Sequence, residues 1–359
     1  MAAKSSPAAQ KLLVDRALLR AINLQRFSNA EARGALRVLA EADASLSARL
    51  AAALERLSPE SFTVRRLDEL LRGVWEWNDA VYNSMALRTA RQMRELAGAE
   101  LEWRERDFLV ILREGVKLGV PPLGQVQAAA AARPFRGRLL SDWFDTLSAQ
   151  RQGRVEVAVR TGYVQGLTVD EIVRSVRGTR AQGYKDGILA IDHRNAEAVV
   201  RTAVQHTAAV AREKFFEANA DILVEEEWVS TLDSRTTDLC MVRDGKRYTV
   251  VDHAPVGHDL PWLDGPGEIH WNCRSTAVPV IDPAVLGLKL PPLPRAAVGG
   301  PVAATTKYGA WLAAQPASVQ DEVLGKTRAA DFRAGRVKFE AFFNDKGRLK
   351  TLAELRAPP

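Results

Sequence analysis

Two cysteines and a histidine have the types and spacing for metal or thiol chemistry. His270 and Cys273 stand three residues apart, so both side chains can reach one ion from a single turn. Cys240 lies upstream, across a turn and a long loop, and supplies a third soft or borderline ligand. Asp233, His253, His258 or a water could complete the set. A structural zinc ion there would close a loop that has little core of its own. Zinc fingers usually show two ligand pairs, however, and only one tight pair is visible here. Ordinary buried thiols beside a hydrogen-bonded histidine explain the same residues, and both readings stay open. A disulfide is disfavoured, because a chain with only two cysteines is no disulfide scaffold and suits a reducing cytosol.

The neighbouring polar residues read first as structural. Asp233 and Arg235 follow a strand-like run. An aspartate there can accept backbone N–H bonds to fix a turn, or pair with Arg274. Asp238 reads as a turn or cap residue, and Trp228, Trp262 and Trp271 as core or rim aromatics. His253, His270 and Asn272 supply the letters of a small metal-dependent nuclease of the HNH type, but the strand-strand-helix frame such an enzyme needs is not evident. Gly299-Gly300 lacks the following Lys-Ser or Lys-Thr of a phosphate loop, and no G-x-S-x-G elbow occurs.

Mostly helical segments must position these residues. Apolar residues recur at helical spacing from Pro7 to Leu57, with Ser28-Asn29 suited to capping a second helix. Ser58-Pro59-Glu60 breaks the pattern, which resumes from Val64 to Glu114 as two helices or one kinked helix. Gly119–Gly124 is a Pro- and Gly-punctuated loop. A second helical block covers Gln125 to Asn219. It is cut at Gly162 and Gly166, restarted by a capping box at Thr168–Glu171, and ends in one long amphipathic helix from Ala190. The texture then changes. Strands are expected at Glu225–Thr231, Arg247–Val251 and Arg274–Ile281, with a turn at Asp244-Gly245. Pro283–Pro301 reads as an extended linker, and Thr305–Ala357 returns to short helices. The fold class is mainly α with a small β-rich module, in four stretches: 1–120, 121–282, 283–304 and 305–359.

The 359 residues, 47% of them hydrophobic, suffice for two or three domains with a sizeable core. No uninterrupted apolar stretch approaches a membrane span, and Met1–Gln10 lacks the apolar region of a secretory signal. The formal net charge is +6. Lys289–Pro359 holds 12 basic and 6 acidic residues, so the whole excess sits in the last fifth. Such a basic tail could meet nucleic acid or an acidic partner, or be a solvated surface. Its aromatics, Trp311, Phe332, Phe339, Phe342 and Phe343, could serve a docking or DNA-facing arm, and the simpler expectation is that they pack its helices against the body.

The order of Trp228, Asp233, Arg235, Thr236, Cys240, Asp244-Gly245, His270, Asn272, Cys273 and Arg274 resembles the signature of the phage Mu protein F-like minor head proteins. The helix, Gly-containing turn and long helix upstream fit the same family, so the resemblance runs from about Leu147 to Ile281. It implies a phage head-morphogenesis protein that joins the procapsid in few copies and binds portal, capsid or scaffold components. It also implies a part in DNA packaging or delivery, and a place in the host cytoplasm during assembly and then in the procapsid or virion. By this resemblance the motif residues are structural rather than catalytic. A metal-dependent nuclease and a DNA-binding protein acting through the basic tail are the competing readings. The chain departs from the pattern at Ser275, where many members carry a further cysteine after H-x-N-C-R, so that position offers no thiolate here.

Overall fold

A computed structural model describes residues 7–56, 63–112, 114–281, 295, 297–303 and 305–356. Two helices of 48 residues, α1 (Pro7–Leu54) and α2 (Val64–Ile111), open the chain. They are followed by α3 (Leu123–Ala132), α4 (Leu140–Val164), α5 (Val169–Arg177) and α6 (Leu189–Glu217). Next come β1 (Leu223–Val229), α7 (Asp238–Arg243), β2 (Arg247–Tyr248), β3 (Pro255–Val256) and β4 (Thr276–Ile281). The short helices α8 (Tyr308–Ala313), α9 (Ala317–Leu324), α10 (Lys326–Arg333) and α11 (Leu352–Arg356) complete the fold. It is mainly helical with a small antiparallel sheet, the class the sequence suggested. Among the described residues, no helix is long and apolar enough to cross a membrane.

One expectation is corrected here. Ser28 does not cap a second helix but lies buried inside α1. The buried stripe Leu24, Ser28, Ala32, Ala35, Leu39, Ala42, Leu46, Leu50 runs through it at helical spacing, so burial of one continuous face outweighs the weak local preference of Ser for a cap. Of the two options for the next stretch, one helix forms, Val64–Ile111. The break at Ser58-Pro59-Glu60 lies outside the described residues.

The chain forms two compact units. One comprises residues 26–95 and 131–204. Its core joins Leu46, Leu50 and Leu54 of α1 to Leu67, Leu71 and Val74 of α2, Val155 and Val159 of α4, and Ile172 and Val176 of α5. The capping box expected at Thr168 is present: its hydroxyl accepts from the Glu171 N–H, and the Glu171 carboxylate accepts from the Thr168 N–H at 2.8 Å. Gly162 lets α4 and α5 close, since a Cβ there would lie 2.5 Å from Ile172. Arg151, fully buried, reaches Asp43 at 2.6 Å, and Asp43 also bonds His193 at 2.8 Å.

The other unit comprises residues 1–25, 96–130 and 205–359. Its sheet runs β3-β2-β1-β4, all antiparallel, with Glu226 opposite Tyr248 and Glu227 opposite both Arg247 and Val278. Phe108 and Ile111 from α2, Phe215 and Phe216 from α6, and Leu223, Val229, Val278 and Ile281 from the sheet share one core. A second cluster gathers Trp228, Tyr248, Leu239, Cys240, Ile269 and Cys273. Asn219 ties the Gly119–Gly124 loop to the end of α6. Its amide donates to Gly119 O at 2.7 Å and accepts from Gly119 N at 2.8 Å. A Cβ at Gly119 would sit 2.4 Å from Ala218 O, so only glycine allows this approach.

Candidate metal centre

The site is built from two short pieces of chain. Cys240 rides on α7, a helix inserted between β1 and β2 that the strand-turn-strand reading of this stretch had not foreseen. The Asp244-Gly245 turn follows it immediately. With Asp244 at φ −56°, ψ 118° and Gly245 at φ 75°, and Lys246 N bonded to Arg243 O at 2.8 Å, this is a type II turn that ends α7 and starts β2. Trp228 and Gly245–Lys246 then exchange two backbone bonds, Gly245 N to Trp228 O at 2.7 Å and Trp228 N to Lys246 O at 2.8 Å, which set the β1–β2 register. β2 holds only Arg247 and Tyr248 rather than running to Val251.

His270 and Cys273 come from the turn that precedes β4. Cys273 N bonds to His270 O at 3.2 Å, and Asn272 takes the left-handed conformation at φ 57° that this tight turn requires. The turn brings His270 and Cys273 to Cys240. Nε2 of His270 is 3.3 Å from Cys240 Sγ, and the two sulfurs are 3.8 Å apart. All three potential ligand atoms lie within 4.8 Å of one another. Among the described residues, no other His, Cys, Asp or Glu joins this group. Both thiols are free and buried.

The surroundings orient these atoms. The other ring nitrogen of His270, Nδ1, is 2.9 Å from Trp271 O and therefore donates to it, which turns the Nε2 lone pair toward the sulfurs. Gly267 N–H points at Cys273 Sγ at 3.3 Å, and Ser230 Oγ donates to Cys240 O at 2.7 Å. The sulfurs are electrostatically distinct. Burial pushes the Cys273 thiol up, but its contacts with Cys240 and His270 outweigh it and hold the group well below the ordinary thiol range. Its bond to Cys273, together with burial, pushes Cys240 well above that range. Ser275 Oγ donates in turn to Ser230 Oγ at 3.4 Å.

The other candidate ligands are engaged elsewhere. Asp233 grips Arg274 in a two-pronged ion pair, 2.8 Å on one arm, and also accepts from Arg235 N at 3.1 Å and Thr236 Oγ1 at 3.2 Å. Although burial opposes it, this arginine partnership holds the Asp233 carboxyl below its ordinary range. His253 bonds Glu226 at 2.7 Å and stacks flat on Trp262. His258 accepts from Leu260 N and donates to Arg247 O. The Arg235 and Asn272 side chains are exposed, and Trp228 is fully buried against Trp262 and Tyr248.

Sequence reasoning missed the cation that completes this module. Arg295, inside the stretch read as a linker, is buried against Asp244, with its guanidinium 2.8 and 3.1 Å from the two carboxylate oxygens. It also donates to Ser230 O and Thr306 O, while Asp244 accepts in addition from Ser230 N and Tyr308 N, each at 2.8 Å. Nothing near Arg295 in the sequence marks it, because its partner lies 51 residues upstream. The tail aromatics pack inward: Tyr308, Trp311, Phe339, Phe342 and Phe343 share a core with Leu232, Met241 and Val242 of the module.

Residues 153–278, from within α4 to within β4, match the family model described as phage Mu protein F like protein. No curated protein and no solved structure matches the chain.

Proposed function

We propose that this chain, whose residues 153–278 match the phage Mu protein F like family, acts in phage head morphogenesis and does so by binding portal or capsid components. The family match carries the proposal. The fate of the motif's polar groups supports a structural rather than catalytic part for them. Asp233 is spent on Arg274, Asp244 on Arg295 and two backbone N–H groups, and Glu226 on His253. Each of these three carboxylates thus has a basic partner, and a buried carboxylate needs one if it is not to cost stability. A part in DNA packaging or delivery follows from the same reading, because components at the portal stand on the path of the DNA.

The test is co-expression of the full chain with the portal and capsid proteins of its phage. A complex of defined stoichiometry that survives size-exclusion chromatography is expected. Phage lacking the protein should produce heads with altered protein composition or DNA content, restored in trans. Heads of normal composition and DNA content made without it, with no complex formed, would overturn the proposal.

A further inference from the structure

We propose that Cys240, His270 and Cys273 bind one zinc ion, with a water at the fourth position, and that the ion clips α7 to the turn before β4. Two of the three separations are those of ligands around a tetrahedral ion, and all three ligand atoms lie within 4.8 Å of one another. Zinc–sulfur bonds of about 2.3 Å at a tetrahedral angle put two sulfurs about 3.8 Å apart, and Cys240 and Cys273 are 3.8 Å apart. That separation is far beyond the roughly 2.05 Å of a disulfide. With a zinc–nitrogen bond of about 2.05 Å, sulfur and nitrogen should be about 3.5 Å apart, and the Cys240–His270 separation is 3.3 Å.

The chemistry of the donors agrees with the geometry. Two thiolates balance the charge of a divalent ion, so a neutral group is buried rather than a charged one. The thiol protons pass to solvent as the ion enters. His270 is already fixed in the tautomer that offers Nε2, because Nδ1 donates to Trp271 O. Gly267 N–H on Cys273 Sγ is the kind of outer contact that steadies a ligating sulfur. Three protein ligands leave the fourth tetrahedral position to a water. The need for a clip is visible in the sheet: β2 and β3 are two residues long, and the ligand turn sits between them and β4.

The experiment uses the full chain purified without a metal-binding tag. Elemental analysis should give about one zinc per chain, as one such site requires. Replacement with cobalt should give the visible bands of a tetrahedral ion and a thiolate charge-transfer band. Chelation should lower the thermal midpoint and open both thiols to a thiol reagent. Cys273→Ala and His270→Gln should lose the cobalt thiolate signature or weaken binding. Should a variant fail to fold, the thiol reactivity of the wild-type protein with and without chelator still decides. Zinc absent from the folded wild type and not taken up on addition, unchanged stability with chelator, or equal zinc in wild type and Cys240→Ala/Cys273→Ala would each overturn the proposal.

Discussion

Replacing Arg295 with Met tests the buried pair that joins the tail to the module. In the wild type the Asp244 carboxylate takes four hydrogen bonds, two from Arg295 and one each from Ser230 N and Tyr308 N. The side chains of Arg295 and Asp244 are 3% and 1% exposed, so water cannot step in when one partner goes. Methionine fills much of the arginine stem's volume, so the loss is mainly electrostatic. A buried carboxylate deprived of its cation costs about 3–5 kcal/mol. The module's slowest amides, in β1 and β4, should therefore exchange about 10²- to about 10⁴-fold faster, at about 1.4 kcal/mol per tenfold. Asp244→Ala should cost more, because it strands Arg295 and also leaves Ser230 N and Tyr308 N without an acceptor at about 1–3 kcal/mol each. Hydrogen exchange read by mass spectrometry on peptides within residues 223–281 resolves the module from the other unit. Acceleration of less than about tenfold in Arg295→Met would mean that the pair contributes under about 1.4 kcal/mol, and the argument from burial would be refuted.

Three further expectations use other parts of the chain. Because Arg274 holds Asp233 below the ordinary carboxyl range, the stability from this pair is present above the unfolded aspartate pKa and is lost as pH falls through the lower folded value. Asp233→Asn should flatten the acid limb of a stability–pH curve, and an unchanged acid limb would remove the pair from the account. Thr168→Ala breaks the capping box and should cost about 0.5–2 kcal/mol, seen as faster exchange in α5 with β1 and β4 unaffected. If the tail contacts DNA through its exposed lysines, changing Lys326, Lys338 and Lys346 together to Gln should lower the slope of log affinity against log salt by about three. No change in slope would leave the tail with a packing role alone.

The helices were largely legible because they rest on local signals. Periodic apolar positions announced α1, α2 and α6, and Thr168 with Glu171 fixed the start of α5, whereas the stretch from Gln125 to Gly162, read as uninterrupted, divides into α3 and α4. The misreadings arose where a long-range term outweighed a local one. Ser28-Asn29 has the chemistry of a cap, but the buried stripe on both sides of it makes one helix of two. Asp244-Gly245 was correctly a turn, yet α7 just before it escaped notice. Its six residues are too few for a periodicity to show, and its Leu239, Cys240 and Met241 read as well in a strand. The proximity of Cys240 to His270 and Cys273 could be raised from residue types, but only the β1–β2–β4 arrangement sets the separations. Arg295 was invisible for the same reason.

These elements explain why a sheet this small is held from several sides. β2 and β3 contribute two residues each, so ladder bonds alone leave most of the module's loops unsupported. One core is supplied by the ends of α2 and α6 through Phe108, Phe215 and Phe216. A second is the aromatic cluster around Trp228, which shares Cys240 and Cys273 with the ligand group. The tail supplies a third through Trp311 and Phe342, anchored by Arg295 on Asp244. Asp244 is common to two of these supports: its backbone ends α7, on which Cys240 rides, and its carboxylate seats the tail. Loosening at Arg295 should therefore reach Cys240 through the Asp244 turn, and Arg295→Met should make the Cys240 thiol react faster with a thiol reagent although residue 295 touches neither sulfur. Equal thiol rates in Arg295→Met and wild type, together with faster exchange in the module, would show that the tail anchor and the ligand group hold the sheet independently.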